Sequence, residues 1–212
     1  MKRIALGAAV VVLSLAPAAH ADLFSARADL HVGGSGGAGL GGDQKDAAYF
    51  KNAPNGAYGA LIGVQALIAD AYIDHTQYTD GSRVTTWTQF AVGIRVDVKT
   101  GAPPKEKGAT EEPQPTGYFE LGLHAAFGLG TGQQVSPPLD NAQITDKAFL
   151  LELRGGIGKI LGHGFRVGLT IPISAGYFFK SGNGAVVNDV STHYQGIEAA
   201  ALITLGVQLG AL

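Results

Sequence analysis

The 212-residue chain contains no cysteine, which excludes a disulfide framework and any metal–thiolate site. Charged residues make up only 15% of the chain, and the 15 Lys and Arg do not outnumber the 17 Asp and Glu. Nucleic-acid-binding domains usually carry a basic patch, so this composition argues against a nucleic-acid partner. After the first 21 residues the sequence also lacks any stretch with helical periodicity, which indicates an all-β protein.

The first 21 residues have the pattern of a secretory signal peptide. Lys2 and Arg3 form a basic start, an apolar stretch covers 4–15, and Ala19-His20-Ala21 fits a small-x-small cleavage site. We therefore expect cleavage after Ala21, export of the protein, and a single mature domain over 22–212. Removal of two basic residues leaves 13 against 17 acidic ones, a net charge of about −4.

Glycine is abundant, with 32 residues, and much of it lies inside alternating segments, as at Gly122, Gly156 and Gly206. A glycine weakens a strand unless strong curvature or a close backbone approach requires it. A tightly curved barrel with a crowded interior has that requirement.

Seven segments alternate between apolar and polar residues with the period of two that predicts β-strands. They cover 23–32, 57–75, 83–98, 117–130, 149–157, 165–173 and 193–212. The connections are rich in turn-forming residues, including the Asp-Gly hairpin signal "TDGS" at 79–82 and the proline-rich stretch 101–117. The glycine tract at 33–43 has the composition of a flexible linker.

The two basic residue types occupy different places in this pattern. Four arginines lie within the polar strand faces, whereas the lysines are assigned to loops or strand ends. Arginine suits enclosed ion pairs because its planar guanidinium bonds carboxylates through two nitrogens. The polar faces are therefore predicted to line a charge-filled lumen in which arginines neutralise carboxylates across neighbouring strands. The predicted network consists of Arg27, Asp29, Arg95, Asp97, Glu120, His124, Glu152, Arg154, Arg166 and Glu198.

The apolar faces carry aliphatic residues at their centres and aromatic residues towards the strand ends. The predicted membrane-interface aromatics are Phe24, Tyr58, Phe119, Phe127, Phe149, Phe165 and Tyr177. Aromatic girdles of this kind flank the lipid-facing band of membrane barrels, although Phe90 in mid-strand is an exception. A soluble sandwich is the alternative, but its aromatic residues should concentrate in the middle of the core.

Taken together, the mature chain resembles the small bacterial outer-membrane β-barrels of the OmpA-like and OmpW-like class. The resemblance implies an antiparallel up-and-down barrel of about eight strands in the outer membrane of a Gram-negative cell. It also implies outer-membrane lipid and the barrel assembly machinery as partners. Two features depart from this class: the chain ends Gly210-Ala211-Leu212 rather than on an aromatic residue, and one strand is missing from the count, expected within 33–56.

No pattern indicates a catalytic, cofactor or metal site. His193 in "STHYQG" resembles the catalytic histidine of outer-membrane lipid A deacylases, but the serine expected two residues later is replaced by Gln195. Two histidines, His31 and His124, are interpreted as partners of carboxylates rather than as metal ligands.

Three functions remain open from the sequence. The first is a structural or binding protein that contacts extracellular ligands through its loops. The second is a narrow channel or carrier for small or hydrophobic solutes, and the third is a lipid-modifying enzyme. Since small barrels are just wide enough for side chains to fill, the charged lumen favours the first.

Overall fold

The computed structural model describes residues 23–42, 55–79, 83–101, 115–135, 138–162, 164–183 and 192–211. These residues form eight strands: β1 (Phe24–Gly42), β2 (Asn55–Ala66), β3 (Ala69–Thr79), β4 (Arg83–Thr100), β5 (Gly117–Val135), β6 (Pro138–Gly162), β7 (Phe165–Asn183) and β8 (Thr192–Ala211). The predicted signal peptide and its cleavage site lie outside the described residues.

The strands pair in chain order, each antiparallel to the next, and β8 pairs back with β1 to close a barrel. This architecture confirms the predicted all-β, up-and-down barrel. Phe24 pairs with Ala211, so both termini of the described chain lie at one end, which we call the terminal end; the opposite end is the distal end. Among the described residues, no helix is long and apolar enough to cross a membrane.

The eighth strand is not where the sequence predicted it. The segment 57–75, interpreted as one strand, is a hairpin in which β2 turns into β3 at Leu67 and Ile68. Both turn residues are apolar, and across them the apolar face changes from even-numbered to odd-numbered residues, a change of phase that the interpretation as one strand overlooked. Leu67 takes a φ of 54°, a left-handed conformation that two-residue hairpin turns usually assign to glycine or asparagine. The prediction of a strand within 33–56 is therefore wrong.

Two segments predicted to be loops belong to strands. The glycine tract was expected to be a flexible linker, but β1 continues through it to Gly42 because β8 supplies hydrogen-bonding partners up to Tyr194. Strand β6 begins at Pro138 rather than at Phe149, paired first with β5 and then with β7. Composition disfavoured both segments as strands, and pairing with a long neighbouring strand overrides it.

The strands tilt strongly against the barrel axis. Directly paired residues can be followed once around the wall, from Ala28 of β1 through Phe90 of β4 to Gln195 of β8. Gln195 then pairs with Gly41 of β1, far along the strand from the starting residue. Strand tilt and the stagger between strands are linked in a closed barrel, so this offset fixes a steep tilt.

The wall separates two chemical environments. Large apolar side chains are exposed on the outside of all eight strands, for example Ile62, Leu153 and Ile203. The inside carries most of the charges, and towards the distal end it also carries an apolar cluster that includes Trp87, Leu150 and Phe178. The sequence analysis did not anticipate these inward-facing apolar residues.

Candidate functional site: the charged lumen

The predicted network residues lie on inward-facing positions of six strands. Nine of the ten predicted side chains are contributed by β1, β4, β5, β6 and β7, and Glu198 by β8. Glycines on the same faces make room for them. A Cβ added at Gly206 would lie 1.9 Å from Oδ1 of Asp29, and one at Gly156 would lie 2.6 Å from Cγ of Glu120. The abundance of glycine in these strands thus reflects the crowding of the lumen.

One group of charges, which we call the terminal cluster, occupies the half of the lumen nearer the terminal end. Its members are Arg27, Asp29, Asp70, Arg95, Asp97, Glu120, His124 and Arg166. Arg166 donates two hydrogen bonds to the carboxylate of Asp29, of 2.7 and 3.1 Å, and a third of 3.2 Å to Glu120. Glu120 also lies 3.7 Å from Arg27 and 3.6 Å from Arg95.

Asp70 is the second anionic centre of the terminal cluster. Its carboxylate lies 3.1 Å from Arg27, 3.4 Å from Arg95 and 2.9 Å from His124 Nε2. Arg95 reaches Asp97 at 3.2 Å, near the terminal end. Each carboxylate at the middle of this cluster therefore faces more than one cation.

A second group, the central cluster, consists of Tyr72, Asp74, Gln89, Glu152, Arg154 and Ser174. Arg154 donates to Asp74 at 2.7 Å and to Glu152 at 3.0 Å, and its guanidinium lies 4.8 Å from the ring centre of Tyr72.

Glu152 receives hydrogen bonds from every other member of the central cluster except Asp74. The Tyr72 hydroxyl donates to it, as do Gln89 at 2.7 Å and Ser174 at 3.3 Å. A charged group this deeply buried requires such complete pairing.

The pairing differs from the prediction in two respects. We expected arginines to neutralise carboxylates on neighbouring strands, but Arg27 (β1) reaches Asp70 on β3 and Arg154 (β6) reaches Asp74, also on β3, across the lumen. Glu198 is not brought to an arginine within the described chain. Its carboxyl group hydrogen-bonds Tyr78 instead.

Sequence reasoning missed two anions of the lumen, Asp70 in the terminal cluster and Asp74 in the central cluster. Both lie on β3, which was interpreted as the continuation of β2, so its inward face was never assigned. The alternation Asp70, Tyr72, Asp74, Thr76 was the signal that could have revealed that face. His31, considered as a metal ligand, hydrogen-bonds Thr76 at 2.9 Å and lies 3.6 Å from Asp74.

The aromatic residues predicted for the membrane interface all lie on the outer wall, in two groups. Phe24, Phe119 and Phe165 stand close to the terminal end of β1, β5 and β7. The others lie nearer the distal end, where Phe127, Phe149 and Tyr177 are paired in register across β5, β6 and β7. Phe90 pairs with Phe127 and extends the same row, so the mid-strand exception belongs to this group.

The lysines were predicted to lie in loops or at strand ends, and among the described residues Lys147 is the exception. Lys159 is exposed near the terminal end of β6. Lys147 was expected in a loop, but because β6 begins at Pro138 it lies inside the strand, exposed on the outer face.

A small cavity is lined by five of the six residues of the central cluster, all except Tyr72. Its volume is about 30 Å³, and its lining includes Asp74, Trp87, Glu152, Ser174 and Glu198. This volume accommodates about two water molecules.

The described residues contain no arrangement for a metal ion, since no three of their His, Cys, Asp or Glu side chains converge suitably. The side chain of His193 lies outside the described part of the chain. Gln195, which stands where a deacylase would have its serine, faces outward and donates a hydrogen bond of 2.9 Å to the Tyr177 hydroxyl.

Comparison with known proteins gives matches among solved structures but not among families or curated proteins. No known protein-family model matches the chain, and no curated protein matches it either. Among solved structures, it is similar to the crystal structure of Neisserial surface protein A, with 12% sequence identity and a TM-score of 0.48 over 87% of this chain and 96% of that one.

Proposed function

We propose that the chain is an exported outer-membrane barrel whose lumen is closed to solutes and which acts through its outer surface. The observation that carries this proposal is the enclosure of charge. The arginines at 27, 95, 154 and 166 are 2–6% exposed inside the wall and paired with carboxylates, whereas the outer face is apolar. This is the reverse of a water-soluble domain, in which charges face outward.

The height of the apolar band on the outer face supports a position in a lipid bilayer. Lys147 and Lys159 bracket the apolar stripe of β6, twelve residues apart. This separation corresponds to roughly 40 Å along a strand, and to roughly 28–32 Å along the membrane normal at the tilt usual for barrels. The lipid-facing band of outer-membrane barrels is about 25 Å tall, so the lysines would reach the headgroups on either side.

We propose a role in binding or in membrane structure because the connecting segments are the parts of the barrel left free to contact other molecules. Its wall faces lipid, and side chains fill its lumen. We propose that contacts with an extracellular ligand are made by the connecting segments at the distal end, 43–54 and 184–191. Outer-membrane lipid and the barrel assembly machinery would be its other partners.

Cell fractionation tests the location. We expect the protein in the outer membrane, migrating differently on gels with and without heating, as folded barrels do. Recovery from the periplasm without detergent would overturn the proposal.

Planar-bilayer recording tests the closed lumen against the second candidate, a narrow channel for small solutes. The cavity beside Glu198 favours that alternative, but the terminal cluster lies between it and the terminal end. We expect no large steady conductance. A stable open-channel current would reject the closed lumen in favour of the channel.

We further propose that the protein has no enzymatic activity on lipids. Mass spectrometry of outer-membrane lipid from cells with and without the gene should give the same profile. A modified lipid species that depends on the gene would contradict this.

A further inference from the structure

Polar side chains interrupt the apolar outer wall on one side of the barrel. They face outward on β2, β3 and β4, and we call them the polar patch: Tyr58, His75, Gln77, Thr86 and Thr88. They pair in register across the three strands. On the terminal side of the patch the same faces are apolar, with Ile62, Ile73 and Phe90 paired in the next outward row.

The polar patch lies deep within the height of the apolar band. Eight steps between paired residues lead around the wall from Arg27 back to Gly39, twelve residues farther along β1, so each step rises by one and a half residues towards the distal end. His75 is three steps before Lys147 in one row of paired residues. It therefore lies four and a half residues below that lysine, roughly 10 Å along the membrane normal at the usual tilt.

The apolar stripe is consequently short on this side. Strands β2 and β3, with 12 and 11 residues, are also the shortest of the described barrel. A bilayer that fits β6 between Lys147 and Lys159 would cover the polar patch with hydrocarbon. Polar side chains in hydrocarbon are costly unless they find polar partners.

Hydrogen bonds within the polar patch satisfy only part of it. His75 Nδ1 and Thr88 Oγ1 lie 2.8 Å apart, and the Tyr58 hydroxyl donates to Gln77 Oε1. The second ring nitrogen of His75 and the amide nitrogen of Gln77 have no hydrogen-bond partner among the described residues. The patch therefore keeps polar atoms free to bond a partner that lies against the wall.

The chemistry of this face fits a second copy of the chain. Among the described side chains, the outward faces of β2, β3 and β4 carry no Asp, Glu, Lys or Arg, so two identical faces do not repel each other. Histidine, amide and hydroxyl groups both donate and accept, so the patch can hydrogen-bond to its own copy. Two copies inserted in the same direction also present equal heights to each other, so polar meets polar and apolar meets apolar.

We infer that the outer face of β2, β3 and β4 is the interface of a two-fold dimer within the bilayer, in which the polar patches hydrogen-bond across the axis. The small side chains of Ala60 and Ala71 on the same face allow the walls to approach closely. Because the two short stripes cover each other, the bilayer does not have to thin against them. The dimer presupposes the outer-membrane location proposed above.

Cross-linking through single cysteines tests the interface, because the natural chain contains no cysteine. Ala60→Cys places a thiol inside it. The row through Ala60 reaches Lys147 after four steps, six residues higher, and Leu153 lies six residues below Lys147 along β6. Leu153→Cys is therefore the matched control, at equal height on the opposite wall. In dilute vesicles of dioleoyl phosphatidylcholine, mild oxidation should join copies of the Ala60→Cys variant but not of the Leu153→Cys variant.

Energy transfer between donor-labelled and acceptor-labelled copies measures the strength of association as lipid dilutes them. The double substitution His75→Leu and Gln77→Leu makes the face apolar and should weaken dimerisation by about tenfold, since two polar contacts across the interface are lost. The matched control is Tyr177→Leu with Gln195→Leu, which removes the outward hydrogen-bonded pair of β7 and β8 and should leave dimerisation unchanged. Heat-dependent migration on gels shows that both variants remain folded.

Equal cross-linking of the two cysteine variants, or equal dimerisation of the two leucine variants, would overturn the dimer. Lipid that thins against the polar patch, or a different protein, would then be what covers it. A monomer inserted in the vesicles would leave the proposed function intact. Failure of the wild-type barrel to insert would reject the membrane location and the dimer together.

Discussion

Two neighbouring residues of β6 show how differently the barrel treats its two faces. Leu153 is 45% exposed on the outer wall, midway between Lys147 and Lys159, whereas Arg154 is 6% exposed inside. An apolar side chain therefore faces the surroundings, and a charged one is enclosed. This contrast is the one expected of a barrel whose wall faces lipid, as proposed above.

The inside is not uniform either. Arg154 is the only arginine within reach of Asp74 and Glu152 among the described residues. In the terminal cluster, by contrast, the anions share several cations. An arginine should therefore contribute very differently to stability in the two clusters. Two of the four substitutions below compare the clusters, and the other two probe the outer face.

The largest effect is expected for Arg154→Ala. The change leaves two enclosed carboxylates, Asp74 and Glu152, without their guanidinium. Removing one partner of a buried ion pair costs about 3–5 kcal/mol. Urea unfolding in detergent micelles measures this loss. A variant as stable as the wild type would show that Asp74 and Glu152 do not depend on Arg154 for their charge compensation.

Leu153→Arg places a charge on the opposite face at the adjacent position. If that face lies in the bilayer near its midplane, the free energy of unfolding should fall by about 2–4 kcal/mol in lipid vesicles. Leu153→Val, which keeps the face apolar, is the matched control and should change stability far less. Equal stability of the arginine and valine variants would mean that water, not lipid, surrounds the wall.

Arg95→Ala removes an equally buried arginine where partners are shared. Asp70 keeps Arg27 and His124, and Asp97 keeps its hydrogen bond of 3.0 Å from Gln208. We expect a loss of about 1–2 kcal/mol in the same urea titration, clearly below that of Arg154→Ala. A loss equal to or above it would refute the difference between the two clusters.

The smallest change in the free energy of unfolding is expected for Lys159→Ala. Its side chain is exposed on the outer face and forms no ion pair with a described residue. Exposed charges contribute within about 0.5 kcal/mol, so the urea midpoint should barely move. A loss above 1 kcal/mol would place this lysine in a structural role. From the sequence alone we also expect Lys105→Ala, in the proline-rich segment 101–117, to change stability little; that residue lies outside the described chain.

Much of the fold could be read from the alternation of residue types, because a strand has two faces and each face meets one environment. The method failed at Leu67 and Ile68, because the change of the apolar face from even-numbered to odd-numbered residues was not interpreted as a reversal of the chain. It also failed for the glycine tract of β1. Local propensity there disfavours a strand, and only the pairing with β8 forms one.

By itself the sequence determined which side chains share a face, and therefore that the arginines of β1, β4, β6 and β7 are enclosed together with carboxylates. The tertiary structure decided which of them meet. Arg154 bonds Asp74, 80 positions away, and Arg166 bonds Asp29, 137 positions away, because closure of the tilted sheet brings non-adjacent strands face to face across the lumen. Alternation carries no information about stagger, and stagger sets the height of each charge along the barrel.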